Sequence, residues 1–400
     1  MLMVMRFQII LLLNYWIIRF LNKMSLDTNV IKMWVVLIIL VISLSFNLVL
    51  TGMVIFQDKE PIKIGGAFGL TGYAAEWGDA DMNGAKLAIE EINEREGIHG
   101  RKIELINEDI QSDGVKTVNA VNKLINFDSV DVILGPTWLD TYGGAAPLSD
   151  EHDILMITPS ASINAIKSSE NYKNVFSTWY RSDEEAKALA EHLSNTNQKK
   201  VVLFFGNDPF WQDIANKIKD SDDLDIIKNV KVTSKETDFR TELSKIKRLK
   251  PDVIIFGLND ESSQFLFLKQ RKELYPKSIL YSTESFEEFT KKQDYQQLIN
   301  NVFFVSPADV DQNFVEKYRN RFGKDPVFSA SNSYDAVKIL LEAIQETAST
   351  DTDDLREYIM NNEFDTVTFG KTRFDRIGGV TGGSFVIKNS KREIIEFLGI

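Results

Sequence analysis

The apolar positions change their period several times along the chain, and those changes predict its elements. Residues Ile62–Phe68 (IKIGGAF) form a short apolar run ending in a Gly-rich turn, as a buried strand does. Over Asp81–Glu94 the apolar side chains Ala85, Ala88, Ile89 and Ile92 recur at i, i+3, i+4 and i+7, one face of a helix. Lys102–Asn107 then reads as a strand, Val115–Asn126 as a helix, and Val130–Gly135 and Ile154–Thr158 as two further strands. Strands separated by helices at this spacing imply right-handed βαβ units and a parallel sheet.

A second run of the same kind begins near Tyr180. Helices are predicted over Glu184–Leu193, Trp211–Lys219, Arg240–Arg248 and Ser262–Arg271. Strands are predicted over Lys200–Phe205, Val230–Lys235, Val253–Gly257, Ser278–Ser282 and Val302–Val305. Three helices follow (Asp311–Phe322, Ser331–Thr347, Asp353–Asn361), then strands at Thr366–Phe369, Ser384–Lys388 and Ile394–Ile400 joined by Gly-Gly turns. Helices after the second sheet imply that the chain returns to complete the first lobe. The expected lobes are 61–180 with 311–365, and 181–310 with 366–400. Repeated crossings at one place make a hinge, and ligands favour the cleft beside it.

Ahead of these lobes the pattern is continuous rather than periodic. Met33–Phe56 carries no charged residue, and at ~1.5 Å per residue it is long enough to cross a hydrocarbon core of ~30 Å. It is too long for a secretory apolar region and lacks a clean small-x-small cleavage site, so it reads as an uncleaved signal anchor. Lys23 and Lys32 precede it, which puts residues 1–32 on the cytoplasmic side and the lobes outside the cell or in the periplasm. Met1–Leu21 is also apolar. It reads either as another span or, preferably, as sequence upstream of a true start near Met24.

Composition narrows the function. The 400 residues exceed one ordinary core, in line with two lobes. A formal charge of -12 leaves no basic surface for nucleic acid. With no cysteine, disulfides, thiolate zinc sites, thiol nucleophiles and a lipidated-Cys anchor are excluded. Gly65, Gly66, Gly69 and Gly72 miss the dinucleotide-binding spacing, and no phosphate-binding loop or nucleophile elbow is present. His99, His152 and His192 are dispersed. No enzyme, cofactor or metal centre is expected.

The segment IGGAFGLTGYAAEWGDADMNGAKLAIEEINEREGIHG, with VDVILGP, DILMITPSAS, VVLFFGNDPFWQD, KPDVIIFG and the closing Gly370…Phe374-Asp375…Gly378 pattern, resembles the type I periplasmic-binding-protein family, in its leucine/isoleucine/valine branch. The resemblance spans Pro61 to Ile400. It implies an α/β fold of two Rossmann-like parallel-sheet lobes joined by a multi-crossing hinge, here preceded by a transmembrane anchor. It also implies the solute-binding component of an ABC importer, taking an amino acid or similar small polar ligand between closing lobes and delivering it to a permease, as a monomer. A ligand-sensing receptor ectodomain for an amide, urea or small carboxylate is the alternative. Against it, the sequence carries no kinase, methyl-accepting or DNA-binding motif.

Ser160, Ala161 and Ser162 match the family segment that binds the ligand's α-carboxylate and α-ammonium through backbone and hydroxyl groups. A serine after a strand would serve equally as a helix cap. Glu284 matches the acid that pairs with the ammonium from the second lobe. Phe210 and Asn259 fall at second-lobe positions that are commonly aromatic. Trp77 and Trp138 flank the first-lobe cleft edge, where they offer an aromatic wall. Leu139 stands where a serine hydroxyl often meets the carboxylate, so only its backbone could serve.

Overall fold

The computed structural model describes residues 59–398 except 167–171, 234–235, 259 and 309, with scattered positions between 15 and 42. The chain forms two compact units, Met1–Lys59 and Glu60–Ile400. In the first, the described residues Val36, Leu37, Ile38, Leu40, Val41 and Ile42 are helical and exposed. The span expected at 33–56 lies largely outside the described residues. Among the described residues no helix is long and apolar enough to cross a membrane.

The second unit is built on two sheets. Strands β1 (Ile62–Phe68), β2 (Ile103–Asp109), β3 (Val132–Leu134), β4 (Met156–Thr158) and β5 (Val175–Ser177) pair in parallel in the order β2-β1-β3-β4-β5. The next five are β6 (Lys200–Gly206), β7 (Asp225–Val232), β8 (Val253–Gly257), β9 (Ile279–Ser282) and β10 (Val302–Pro307). They form the parallel part of a sheet ordered β15-β14-β10-β9-β8-β6-β7. Between β10 and those last strands come β11 (Glu363–Thr366), β12 (Gly370–Phe374) and β13 (Val380–Thr381), a small antiparallel sheet. Strands β14 (Phe385–Asn389) and β15 (Ile394–Leu398) then join the second sheet antiparallel.

Both faces of each large sheet are covered, which is why their strands read as unbroken apolar runs. Along β6, Val201, Leu203 and Phe205 enter one core while Val202 and Phe204 enter the opposite one. On the first sheet, the helix Ala75–Glu94 lies against the helix Phe328–Thr347 so closely that a Cβ at Gly84 would stand 2.0 Å from the Ala330 carbonyl oxygen. Phe314 and Tyr318, which follow the second sheet in sequence, join that same core. The chain thus passes between the sheets at 178–181, again after β10, and at 382–384.

Several expectations need correction. The first helix starts at Ala75, ahead of Asp81, because its opening turns carry Trp77 and polar residues that hide the apolar stripe. Of the strand expected at Thr366–Phe369 only Thr366 is in a strand, the end of β11; 367–369 form a turn, in which the Asp335 carboxylate accepts the N–H groups of Val367 (2.9 Å) and Thr368 (3.0 Å). Residues 366–400 do not stay together in the second lobe. Phe374 packs edge-on to Phe176 at 5.6 Å and Phe364 at 6.1 Å in the core of the first sheet. The little β11–β13 sheet finds its apolar partner there, and only β14 and β15 continue to the second sheet.

Candidate ligand-binding cleft

On the first sheet the loops after β1, β3 and β4 gather around one buried acid. Asp81, fully buried on the first helix, accepts the hydroxyls of Thr137 and Ser160 on the same Oδ2 oxygen, each at 2.8 Å. Burial pushes its carboxyl up to about 7, partly offset by the hydrogen bonds from Thr137 and Ser160. Ser160 Oγ in turn accepts the Trp138 backbone N–H at 3.3 Å. Trp138 has φ 66° and ψ 151°, a region otherwise open to glycine and costing roughly 1–3 kcal/mol. Its ring lies 5.3 Å from Tyr73 and 6.0 Å from Trp77, and Trp77 lies 5.6 Å from Trp179.

The three residues of the serine segment are all buried. Ser160 gives its proton inward to Asp81. The Ala161 carbonyl accepts the Ser177 hydroxyl at 2.7 Å. Ser162 Oγ accepts the Ser182 N–H at 3.2 Å and lies 3.3 Å from Ser182 Oγ, which hydrogen-bonds Asp213. The segment therefore ties the first sheet to the helix Ser182–Ser194, and both hydroxyls are engaged within the protein. Leu139 opens the short helix Leu139–Tyr142. Asn259 lies outside the described residues.

On the second sheet, Glu284 follows β9 and opens a 3-10 helix that runs to Lys291, rather than sitting in a solvated loop. It is buried, and its backbone N–H donates to Oε1 of Glu185 at 3.1 Å. Glu185 is fully buried in the first turn of the helix Ser182–Ser194. Oε2 of each glutamate has no hydrogen-bond partner. Burial pushes each carboxyl up to about 8, with the Glu287 charge adding slightly at Glu284. Phe210 is half-buried and edge-on to Trp211 at 4.9 Å.

The two sides meet at a cavity of about 260 Å³ whose wall includes Trp77 from the first sheet and Glu284 from the second. Phe328, Ser331, Ser306 and Lys388 add to that wall from segments flanking the crossings. Lys388 is almost fully buried and pairs with Glu287 at 3.2 Å, while Ser306 Oγ donates to the same carboxylate at 3.3 Å. Trp138 reaches the cavity only through Trp77, and neither the serine segment nor Phe210 lines it. Sequence reasoning missed Asp81, Glu185, Trp179 and Lys388. Lys388 had a visible signal, a lone cation ending the apolar run of FVIKN. Among the described residues no group of three or more His, Cys, Asp or Glu side chains is placed to hold a metal ion.

The sequence profile of the family described as periplasmic binding protein matches residues 61–387. The chain belongs to that family. It is 32% identical over 203 residues to the Leu/Ile/Val-binding protein BraC3 of Rhizobium johnstonii, covering 49% of this chain and 54% of that protein. Over 349 residues it is 24% identical to the leucine-, isoleucine-, valine-, threonine- and alanine-binding protein of Pseudomonas aeruginosa, covering 82% and 89%. In three dimensions it resembles the branched-chain amino acid transporter substrate binding protein LivJ of Streptococcus pneumoniae, solved in complex with isoleucine. The TM-score is 0.73 at 22% identity, over 85% of this chain and 99% of that one. Two doubly covered sheets with repeated crossings are thus the periplasmic-binding-protein fold, and the cavity draws its wall from both halves of it, with Trp77 on one side and Glu284 on the other.

Proposed function

We propose that this periplasmic binding protein captures an amino acid or a similar small polar ligand between its lobes, as the extracytoplasmic solute-binding component of an ABC importer. The observation that carries the reading is Glu284, a buried carboxyl with an unpartnered Oε2 on the wall of a cavity that Trp77 closes from the other sheet. A buried acid without a partner is costly, and a ligand ammonium would relieve it by a charge-assisted hydrogen bond. Trp77 and Phe328 provide apolar surface for a small side chain. The serine segment Ser160–Ser162 lies outside that wall and its hydroxyls are engaged within the protein, so it is not assigned to the ligand. The names of the relatives support the ligand class.

Ligand contacts from both lobes favour the closed state in proportion to their differential binding energy. The role is binding, not turnover. The apolar run 33–56 would hold the lobes on the outer face of the membrane, beside a permease. A thermal-shift screen of the Glu60–Ile400 unit against amino acids, amides, urea and small carboxylates tests the reading, since a ligand bound only by the folded state raises the midpoint. Stabilisation by α-amino acids is expected. Stabilisation by none of them would remove the ligand assignment.

A further inference from the structure

We propose that Asp81 is a positioning residue that sets the cleft's aromatic wall by holding Trp138 in a backbone conformation otherwise open to glycine. The inference deepens the reading of the cleft as the ligand site, and it concerns which side chains the ligand meets there.

Trp138, at φ 66° and ψ 151°, persists only because its surroundings over-determine it. Its N–H is held by Ser160 Oγ at 3.3 Å, and its carbonyl accepts the Thr141 hydroxyl at 2.8 Å. The same Thr141 hydroxyl reaches the Thr137 carbonyl at 2.6 Å. Thr137 and Ser160 both end on Asp81 Oδ2. One carboxylate oxygen therefore fixes the residue before Trp138 and the acceptor of Trp138's own N–H. Asp81 is itself anchored, because the Ser333 hydroxyl donates to its backbone carbonyl at 2.6 Å.

Asp81 is fully buried and does not line the cavity, so any effect on the ligand is indirect, and its bonds lead to Trp138. The indole that it positions packs on Trp77, which does line the cavity. A carboxylate can accept two hydroxyl protons on one oxygen. An amide in its place offers a weaker, uncharged acceptor oxygen and replaces the second acceptor oxygen with an NH2 donor. Asp81→Asn should therefore release Ser160 and let Trp138 relax, which moves the wall without touching the ligand.

The test uses the full chain and two readouts. In the unliganded protein, Asp81→Asn and Ser160→Ala are each expected to weaken the near-ultraviolet tryptophan circular-dichroism band, as Trp138→Phe does. Both are also expected to shift the ratio of L-leucine to L-phenylalanine affinity about 3-fold or more, in the direction that Trp138→Phe shifts it. Ser160→Ala breaks the same bridge without altering a buried charge, so it decides the matter if Asp81→Asn fails to fold. Folded variants with an unchanged tryptophan band, or with an unchanged affinity ratio, would overturn the proposal. If the wild-type chain binds neither amino acid, the ligand reading fails by itself, and the tryptophan band still decides whether Asp81 positions Trp138.

Discussion

The backbone N–H of Glu284 donates to Oε1 of Glu185 at 3.1 Å, fastening the start of one helix to the first turn of another beneath the cleft. The bond leaves one oxygen free on each carboxyl and both groups out of water. A ligand cation at Glu284 would meet a buried carboxyl oxygen that no protein group satisfies among the described residues.

Stability of the unliganded protein should follow from the same pair. The Glu185 carboxyl is raised from 4.5 to about 8 by burial, so the folded state holds a proton that the unfolded chain has lost. The folded state therefore loses stability as pH rises from about 4.5 to about 8. Glu284, Asp81 and Asp335 add in the same direction. Thermal melts should show a falling midpoint across that window and a shallower fall in Glu185→Gln. Equal slopes in both proteins would show that Glu185 is not a source of the dependence.

The crossing at 178–181 is pinned by Arg181. Its guanidinium meets Asp183 through Nε at 2.9 Å and Nη2 at 2.6 Å, and it also reaches Asp375. Arg181→Lys keeps the charge but cannot span both carboxylates, so a loss of about 1–2 kcal/mol is expected in urea unfolding. An unchanged unfolding midpoint would mean that the crossing is held by its aromatic neighbours, Trp179, Tyr180 and Phe328.

Close approach of two helices gives a sharper expectation. A methyl group at Gly84 would stand 2.0 Å from the Ala330 carbonyl, and backbone on both sides cannot yield locally. Gly84→Ala should cost about 1–3 kcal/mol despite alanine's better helix propensity. A stabilised variant would contradict the packing of these helices.

Much of this architecture is legible in the sequence because its strands are buried on both faces. Runs such as VIIFG give their exact bounds, Val253–Gly257, since neither end could be mistaken for surface. One short strand is lost: Val175–Ser177 has three residues, and polar residues on both sides give it none of the longer apolar run that reveals β3 and β4. The crossing of Phe374 to the first sheet is a tertiary choice, made by contact with Phe176, that no local pattern records. At the cleft, Trp77 and Glu284 were reachable through family resemblance, and they do line one cavity. Asp81 and Glu185 were not, because a buried acid on an amphipathic helix looks in sequence like any solvated one.

The membrane attachment proposed above would rest on the apolar run 33–56. The full chain should remain in the membrane pellet after alkaline carbonate extraction, while the Glu60–Ile400 unit should be released. Release of the full chain would show that the run does not anchor it.

The most direct test is calorimetric titration of the Glu60–Ile400 unit with L-leucine, set beside Glu284→Gln. If the cavity is an amino-acid site, the wild-type unit binds, and Glu284→Gln binds at least ~10-fold more weakly with a nearly unchanged melting midpoint. Undiminished binding by Glu284→Gln, or a midpoint that collapses in the unliganded variant, would mean that Glu284 supports the fold and not the ligand.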